Sequence, residues 1–212
     1  MYARENQQGN RGEVTVIGTG IVSVAPNLAT IRLGVTTIDE NVVLAEAENS
    51  EKMTNLINDL TNLGIEKEDI QTTSFNVFPR YDYSNGKKFI GYEVSNIIEV
   101  TIRNFSLLSN VIYVAVNNGV TDIGSLQFKY DDLSSIEQQA LELAVIDANQ
   151  KALSIIGSLP YQKELIPIKI VEQSESGVRP EAFMLASKSV ATPIEPGEIV
   201  ISSTLQVTYI FS

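Results

Sequence analysis

The chain has 212 residues, with 15 basic and 26 acidic side chains for a formal net charge of −11, and it contains neither cysteine nor histidine. That composition excludes disulfides, thiolate or imidazole metal sites, and any catalytic scheme needing a thiol or an imidazole. An acidic chain without a basic cluster repels phosphate backbones and anionic lipid surfaces, so nucleic acid is not an expected partner. No apolar stretch is long enough for a membrane-spanning segment.

Residues 1–12 read as a polar N-terminal arm, without the apolar run of a signal peptide. Glu13 to Gly20, continued by Ile21 to Ala25, reads as strand, and Pro26-Asn27 as a turn. From Ala29 to Asp39 the chain alternates, with Ile31, Leu33 and Val35 against Thr30, Arg32 and Thr36, as a half-buried strand does. Met53, Leu56, Ile57, Leu60 and Leu63 then fall at steps of three and four and predict a long helix. Asp39 or Asn41 would cap its start. Gly64 would stop it, because a residue without Cβ enters the left-handed conformation at little cost. Ile70 to Phe78 reads as a strand ended by Pro79.

Ser84-Asn85-Gly86-Lys87 marks a turn between aromatic-rich arms, and Glu93 to Arg103 alternates as a strand. Ser106 is placed to cap a short second helix ending at Asn118-Gly119, and Ile123 to Tyr130 reads as the next strand. A third helix begins at Ser134, with Glu137 positioned to complete a capping box, and ends at Gly157. Along it Ala140, Ala144, Ala148 and Ala152 form a column that permits close approach to a sheet or helix. After a strand over Leu165 to Val171, residues 174–198 read as a long loop. Ile199 to Phe211 has the longest alternation and predicts a central or closing antiparallel strand.

One short pattern recurs. Gly64-Ile65, Asp69-Ile70 and Phe75 are echoed by Gly119-Val120, Asp122-Ile123 and Phe128, each copy closing a helix and opening a strand. The fold expected is therefore α+β: an antiparallel-rich sheet with helices packed on it, built from two related strand–helix–strand units, a third helix and a long C-terminal strand. Residues 13–212 are read as one domain.

The sites weigh as follows. Glu66, Glu68 and Asp69 read as a solvated turn, with Lys67 among them and no calcium-loop spacing, so no metal site is expected. Gly18 and Gly20 lack the Gly-Lys-Ser/Thr continuation of a phosphate loop, and no cofactor is expected. A serine nucleophile would need Lys151 or Lys188 as its base, and Ser187-Lys188-Ser189 is not the helical Ser-x-x-Lys arrangement. Tyr81, Tyr83, Phe89 and Tyr92 read as cross-strand pairs in a hairpin, or as an interface. Phe183, Met184 and Leu185, apolar within a polar loop, form the other candidate contact.

Several segments carry a resemblance across residues 13–211. These are Val16-Ile17-Gly18-Thr19-Gly20 before Pro26-Asn27; Gly64-Ile65 with Asp69-Ile70-Gln71-Thr72; Gly91-Tyr92; Ala144 to Ala148 with Lys151-Ala152; and Pro196-Gly197-Glu198. In order and spacing they resemble the SIMPL-domain family, which includes bacterial periplasmic immunogenic and oxidative-stress-defence proteins. Asn27 stands where the family usually has an acidic residue. The resemblance implies an α+β fold, assembly into ring- or channel-like oligomers, and a periplasmic or surface location, and it brings no catalytic residues. The expectation is a non-enzymatic, self-associating homo-oligomer linked to stress defence or the cell envelope. The alternatives are a monomeric ligand- or protein-binding module using the Tyr81–Tyr92 hairpin, and a hydrolase with a lysine base.

Overall fold

The computed structural model describes residues 12–84, 86–159, 164–173, 179–181 and 196–211. In chain order the elements are β1 (Gly12–Val24), β2 (Leu28–Asp39), α1 (Val42–Asn62), β3 (Ile70–Asp82), β4 (Lys88–Ile102), α2 (Leu108–Asn117), β5 (Asp122–Ile123), β6 (Gln127–Lys129), α3 (Ser134–Gly157), β7 (Leu165–Gln173), β8 (Arg179–Glu181) and β9 (Glu198–Phe211). The α+β expectation holds, with antiparallel sheets and helices packed against them. The chain divides into two compact units, one within residues 26–131 and one from residues 12–25 with those described from 132 onward.

In the 26–131 unit the strand order is β3-β4-β2-β5, with β6 also on β2 and every pairing antiparallel. The two strand–helix–strand units are β2-α1-β3 and β4-α2-β5. Each splits around one strand of the other, the interleaved split-βαβ arrangement. Met53, Leu56 and Leu60 of α1 and Leu108, Val111 and Ala115 of α2 share one core with Ala29, Ile31, Leu33 and Val35 of β2 and Ile98, Val100 and Ile102 of β4. The recurring pattern marks two equivalent helix stops. Gly64 (φ +97°) and Gly119 (φ +73°) turn the chain, and the next residues donate backward, Ile65 N–H to Leu60 C=O at 3.1 Å and Val120 N–H to Ala115 C=O at 3.1 Å.

Asn41 caps α1 by accepting from the Val43 N–H at 2.9 Å. The stripe α1 buries is not wholly apolar, for Asn49 lies in it at 1% exposure. Its amide donates to Val35 C=O at 2.9 Å and Val94 C=O at 3.0 Å, and the Thr37 hydroxyl donates to Ala45 C=O at 2.6 Å. These bonds pin α1 to β2 and β4.

Three local expectations are corrected in this unit. The second helix is not capped by Ser106. Asn104 accepts from the Ser106 N–H at 3.1 Å, and a 3-10 turn over Phe105–Leu107 precedes α2. The strand expected over Ile123 to Tyr130 is broken into β5 and β6, with Gly124 N–H bonded to Arg32 C=O between them. Pro79 does not end pairing, since β3 runs on to Asp82 with Pro79 opposite Tyr92. A proline is tolerated there because β3 is an edge strand, and a nitrogen facing the open side has no ladder bond to lose.

In the other unit β9 is central, with β1 on one side and β7 and β8 on the other, and β1 pairs with it from Gly12↔Phe211 to Val24↔Ile199. Part of the stretch read as a loop is therefore strand, because β8 pairs with Glu198–Val200. Helix α3 packs on β1 and β9 through Ala140, Ala144, Ala148 and Ala152, all fully buried. The glycines of β1 meet that column. A Cβ on Gly18 would lie 2.0 Å from the Ala144 carbonyl oxygen, and one on Gly20 would lie 1.9 Å from that of Ala140. Here the Gly-x-Gly spacing serves helix–strand contact. The capping box expected at the start of α3 is absent. Ser134 is the first helical residue, and Asp132 accepts from its N–H at 2.9 Å.

Candidate functional site

The β3–β4 pair begins as part of the sheet and ends as a two-stranded ribbon. β4 pairs with β2 only from Tyr92 onward, whereas β3 stays with β4 out to Asp82↔Lys88. A register shift between Arg80 and Tyr81 sets Tyr81 opposite Phe89. The four aromatic residues singled out in the sequence are brought together here. Tyr81 and Phe89 meet edge to face at 5.8 Å, as do Phe89 and Tyr92 at 5.2 Å, while Tyr81 and Tyr83 are tilted at 6.4 Å and the Lys87 ammonium lies 4.2 Å from the Tyr81 ring centre. Cross-strand pairing accounts for the contacts but not for the exposure, which is 68% at Tyr83 and 39% at Phe89. Further along β3, Phe75 and Phe78 are 51% and 55% exposed and Val77 is exposed beside them. Arg80 pairs with Glu93 across the strands. Phe183, Met184 and Leu185 lie outside the described residues.

The remaining sequence candidates resolve into structure. Lys67–Asp69 form a 3-10 turn whose Asp69 accepts from Arg103 at 3.3 Å, while Arg103 also donates to Asp131 at 2.9 Å. Among the described residues no group of three or more acidic side chains gathers to hold a metal ion, and no helix is long and apolar enough to cross a membrane. A polar pocket of about 230 Å³ is lined in part by Thr30, Arg32, Glu99 and Asp122, and its guanidinium already lies 3.7 Å from Glu99.

Lys151 is engaged at the edge of β1. Its ammonium donates to Asp147 at 2.7 Å and to Ile17 C=O at 3.0 Å, and Asp147 accepts from the Thr19 N–H at 2.8 Å. This Asp–Lys pair, one helical turn apart on α3, satisfies the backbone of β1 on the side away from β9, as a neighbouring strand would. Ser154, in the same open groove of about 500 Å³, donates to Gln150 C=O at 2.8 Å, so it makes no nucleophile–base contact with Lys151. The i,i+4 spacing of Asp147 and Lys151 was visible in the sequence as a helical ion pair; its second partner, the strand edge, was not.

The Lys151 ammonium, then the Thr19 N–H, hold the Asp147 carboxyl below the usual carboxylate range. A depressed folded-state pKa contributes stability above the unfolded pKa and loses it as pH falls through the folded value. Asp147→Ala is therefore expected to unfold at lower urea than the wild type at neutral pH, with the gap closing on acidification to below the carboxylate range. A gap constant between neutral pH and about pH 3 would refute the assignment.

Comparison with known proteins places these features in a family. A family model described as SIMPL, a protein of unknown function (DUF541), matches residues 14–209, and the chain belongs to that family. It is similar to the uncharacterized protein YggE of Escherichia coli K12, at 24% identity over 207 residues covering 97% of this chain and 83% of the relative. It is also similar to the 26 kDa periplasmic immunogenic protein of Brucella melitensis, at 29% identity over 161 residues covering 73% of this chain and 64% of that one. YggE of Edwardsiella ictaluri is 23% identical over 170 residues, covering 79% and 70%.

Proposed function

We propose that this protein works by assembling with copies of itself and carries no catalytic activity of its own. The observation that supports this reading is apolar surface held on paired strands, namely the aromatic ribbon tip and the neighbouring Phe75, Val77 and Phe78 of β3. Phe75 and Val77 share one face of β3 and Phe78 lies on the other, and exposed apolar surface of this kind marks interaction sites. The periplasmic setting named for the Brucella relative supports extending the reading to the cell envelope.

Light scattering on a size-exclusion column, at about physiological salt, tests it directly. The expected mass is a multiple of the 23.2 kDa chain, lowered by Tyr83→Ser with Phe89→Ser. A single-chain mass at every concentration overturns assembly and favours the ribbon as a ligand platform.

A further inference from the structure

Among the described residues the sheets present three long outer strands, and they are not equivalent. β1 has its outer backbone engaged at mid-strand, the Thr19 N–H by Asp147 and the Ile17 C=O by Lys151. β7 is interrupted by a bulge between Pro167 and Lys169, and bulges, prolines and lysines are the devices that discourage edge pairing. β3 carries such devices only toward its ends, in the register shifts at Thr72/Ser74 and Arg80/Tyr81 and in Pro79, leaving Ser74-Phe75-Asn76-Val77-Phe78 regular and uncharged between them.

Pro79 fixes the orientation of that stretch. Its nitrogen faces the open side, so by the two-residue alternation the N–H and C=O groups of Phe75 and Val77 also face outward. Resting on the self-association proposed above, we infer that two copies join by antiparallel pairing of their β3 edges about a two-fold axis at Asn76. Phe75 then exchanges backbone bonds with the partner copy's Val77, and two sheets become one. An isologous contact of this kind is strand addition applied to a second copy of the chain.

Charge selects the direction. The turn before β3 carries Glu66, Lys67, Glu68 and Asp69, a net of −2, while the far end carries Arg80 with its partner Glu93, Asp82, Lys87 and Lys88, a net of +1. Antiparallel pairing sets the acidic turn of each copy beside the basic tip of the other, whereas parallel pairing would oppose like charges. Edge pairing also covers apolar surface. At roughly 150–250 Å² per aromatic side chain, Phe75 and Phe78 leave about half of their area exposed in each copy. Two copies thus supply about 300–500 Å² toward the roughly 1,200–2,000 Å² of a standard interface before Val77 and the strand backbones are counted.

The test uses the full chain at low salt, where exposed charges are least screened. Val77→Pro removes an outward donor without touching the β4 ladder. Glu66→Lys with Glu68→Lys, and separately Lys87→Glu with Lys88→Glu, make the two ends of one copy alike in charge. Each variant is expected to associate at least ten-fold more weakly than wild type, and mixing the two charge variants is expected to restore assembly, because each end then meets its opposite. Wild type that assembles while all three variants assemble equally well overturns this edge and leaves self-association standing. Charge variants that dissociate but are not restored on mixing overturn the antiparallel register. A wild-type monomer removes both proposals together.

Discussion

A Gly18→Val chain is expected to lose about 3 kcal/mol or more of stability, seen as a large drop in its urea midpoint. The reason is that the obstructing atoms are backbone. A Cβ on Gly18 would meet the Ala144 carbonyl oxygen at 2.0 Å and the Ala148 Cβ at 2.7 Å, so no rotamer relieves the clash and α3 must move off β1. Moving it would open the small cluster of Val16, Ala144, Ala148, Ala152, Leu205, Val207 and Tyr209. Gly157→Ala is the control. It ends α3, a Cβ there meets nothing within 4 Å, and its φ is not positive. Alanine should gain up to about 1 kcal/mol by lowering the entropy of the unfolded chain. A Gly18→Val midpoint equal to wild type would show that α3 does not pack as described.

The second large effect is expected at Asn49, where Asn49→Asp should destabilise by about 3–5 kcal/mol at neutral pH. The wild-type amide offers two N–H groups to two carbonyl oxygens in a site sealed from solvent. A carboxylate there would face both oxygens with no donor to give, and burial would oppose its charge. The new carboxyl would accordingly have a folded-state pKa above its unfolded one. Such a group is tolerated best below the unfolded pKa and becomes costly as pH rises. Denaturation across pH should therefore show the Asn49→Asp deficit shrinking in acid, the opposite trend to a depressed carboxylate. An uncharged Asn49→Leu variant, which also leaves both carbonyls without the amide, should show a deficit independent of pH. Equal pH profiles for the two would count against the buried geometry.

Much of the fold was legible because its signals are local. The Met53–Leu60 spacing, the alternation in β9, the two glycine stops and the alanine column each follow from periodicity or from one residue's conformational freedom, whereas β2, read as half-buried, lies inside the sheet and buries Thr30 as well. The errors arose where a residue's meaning depends on a distant partner. Pro79 reads as a terminator unless its strand is known to lie at an edge. Ser106 and Ser134 have the right chemistry for caps, but Asn104 and Asp132, two residues earlier, accept the bonds instead. The aromatic cluster was legible from its turn, and its exposure was not, because exposure depends on where β2 stops pairing with β4. The clamp of Asp147 and Lys151 on β1 joins residues 128 and 134 positions apart, beyond the reach of any local pattern.

The pairing of β1 with β9 also orders events in time. Gly12 pairs with Phe211, so β1 leaves the ribosome long before the strand it pairs with. At about 5–20 residues per second that interval is roughly 10–40 s. The strands and helices between residues 26 and 131 are contiguous in the chain, and their sheet can close while synthesis continues. A nascent chain halted once residue 131 has cleared the ribosome should thus already protect β2 and β4, while β1 remains an unpaired strand in need of shelter.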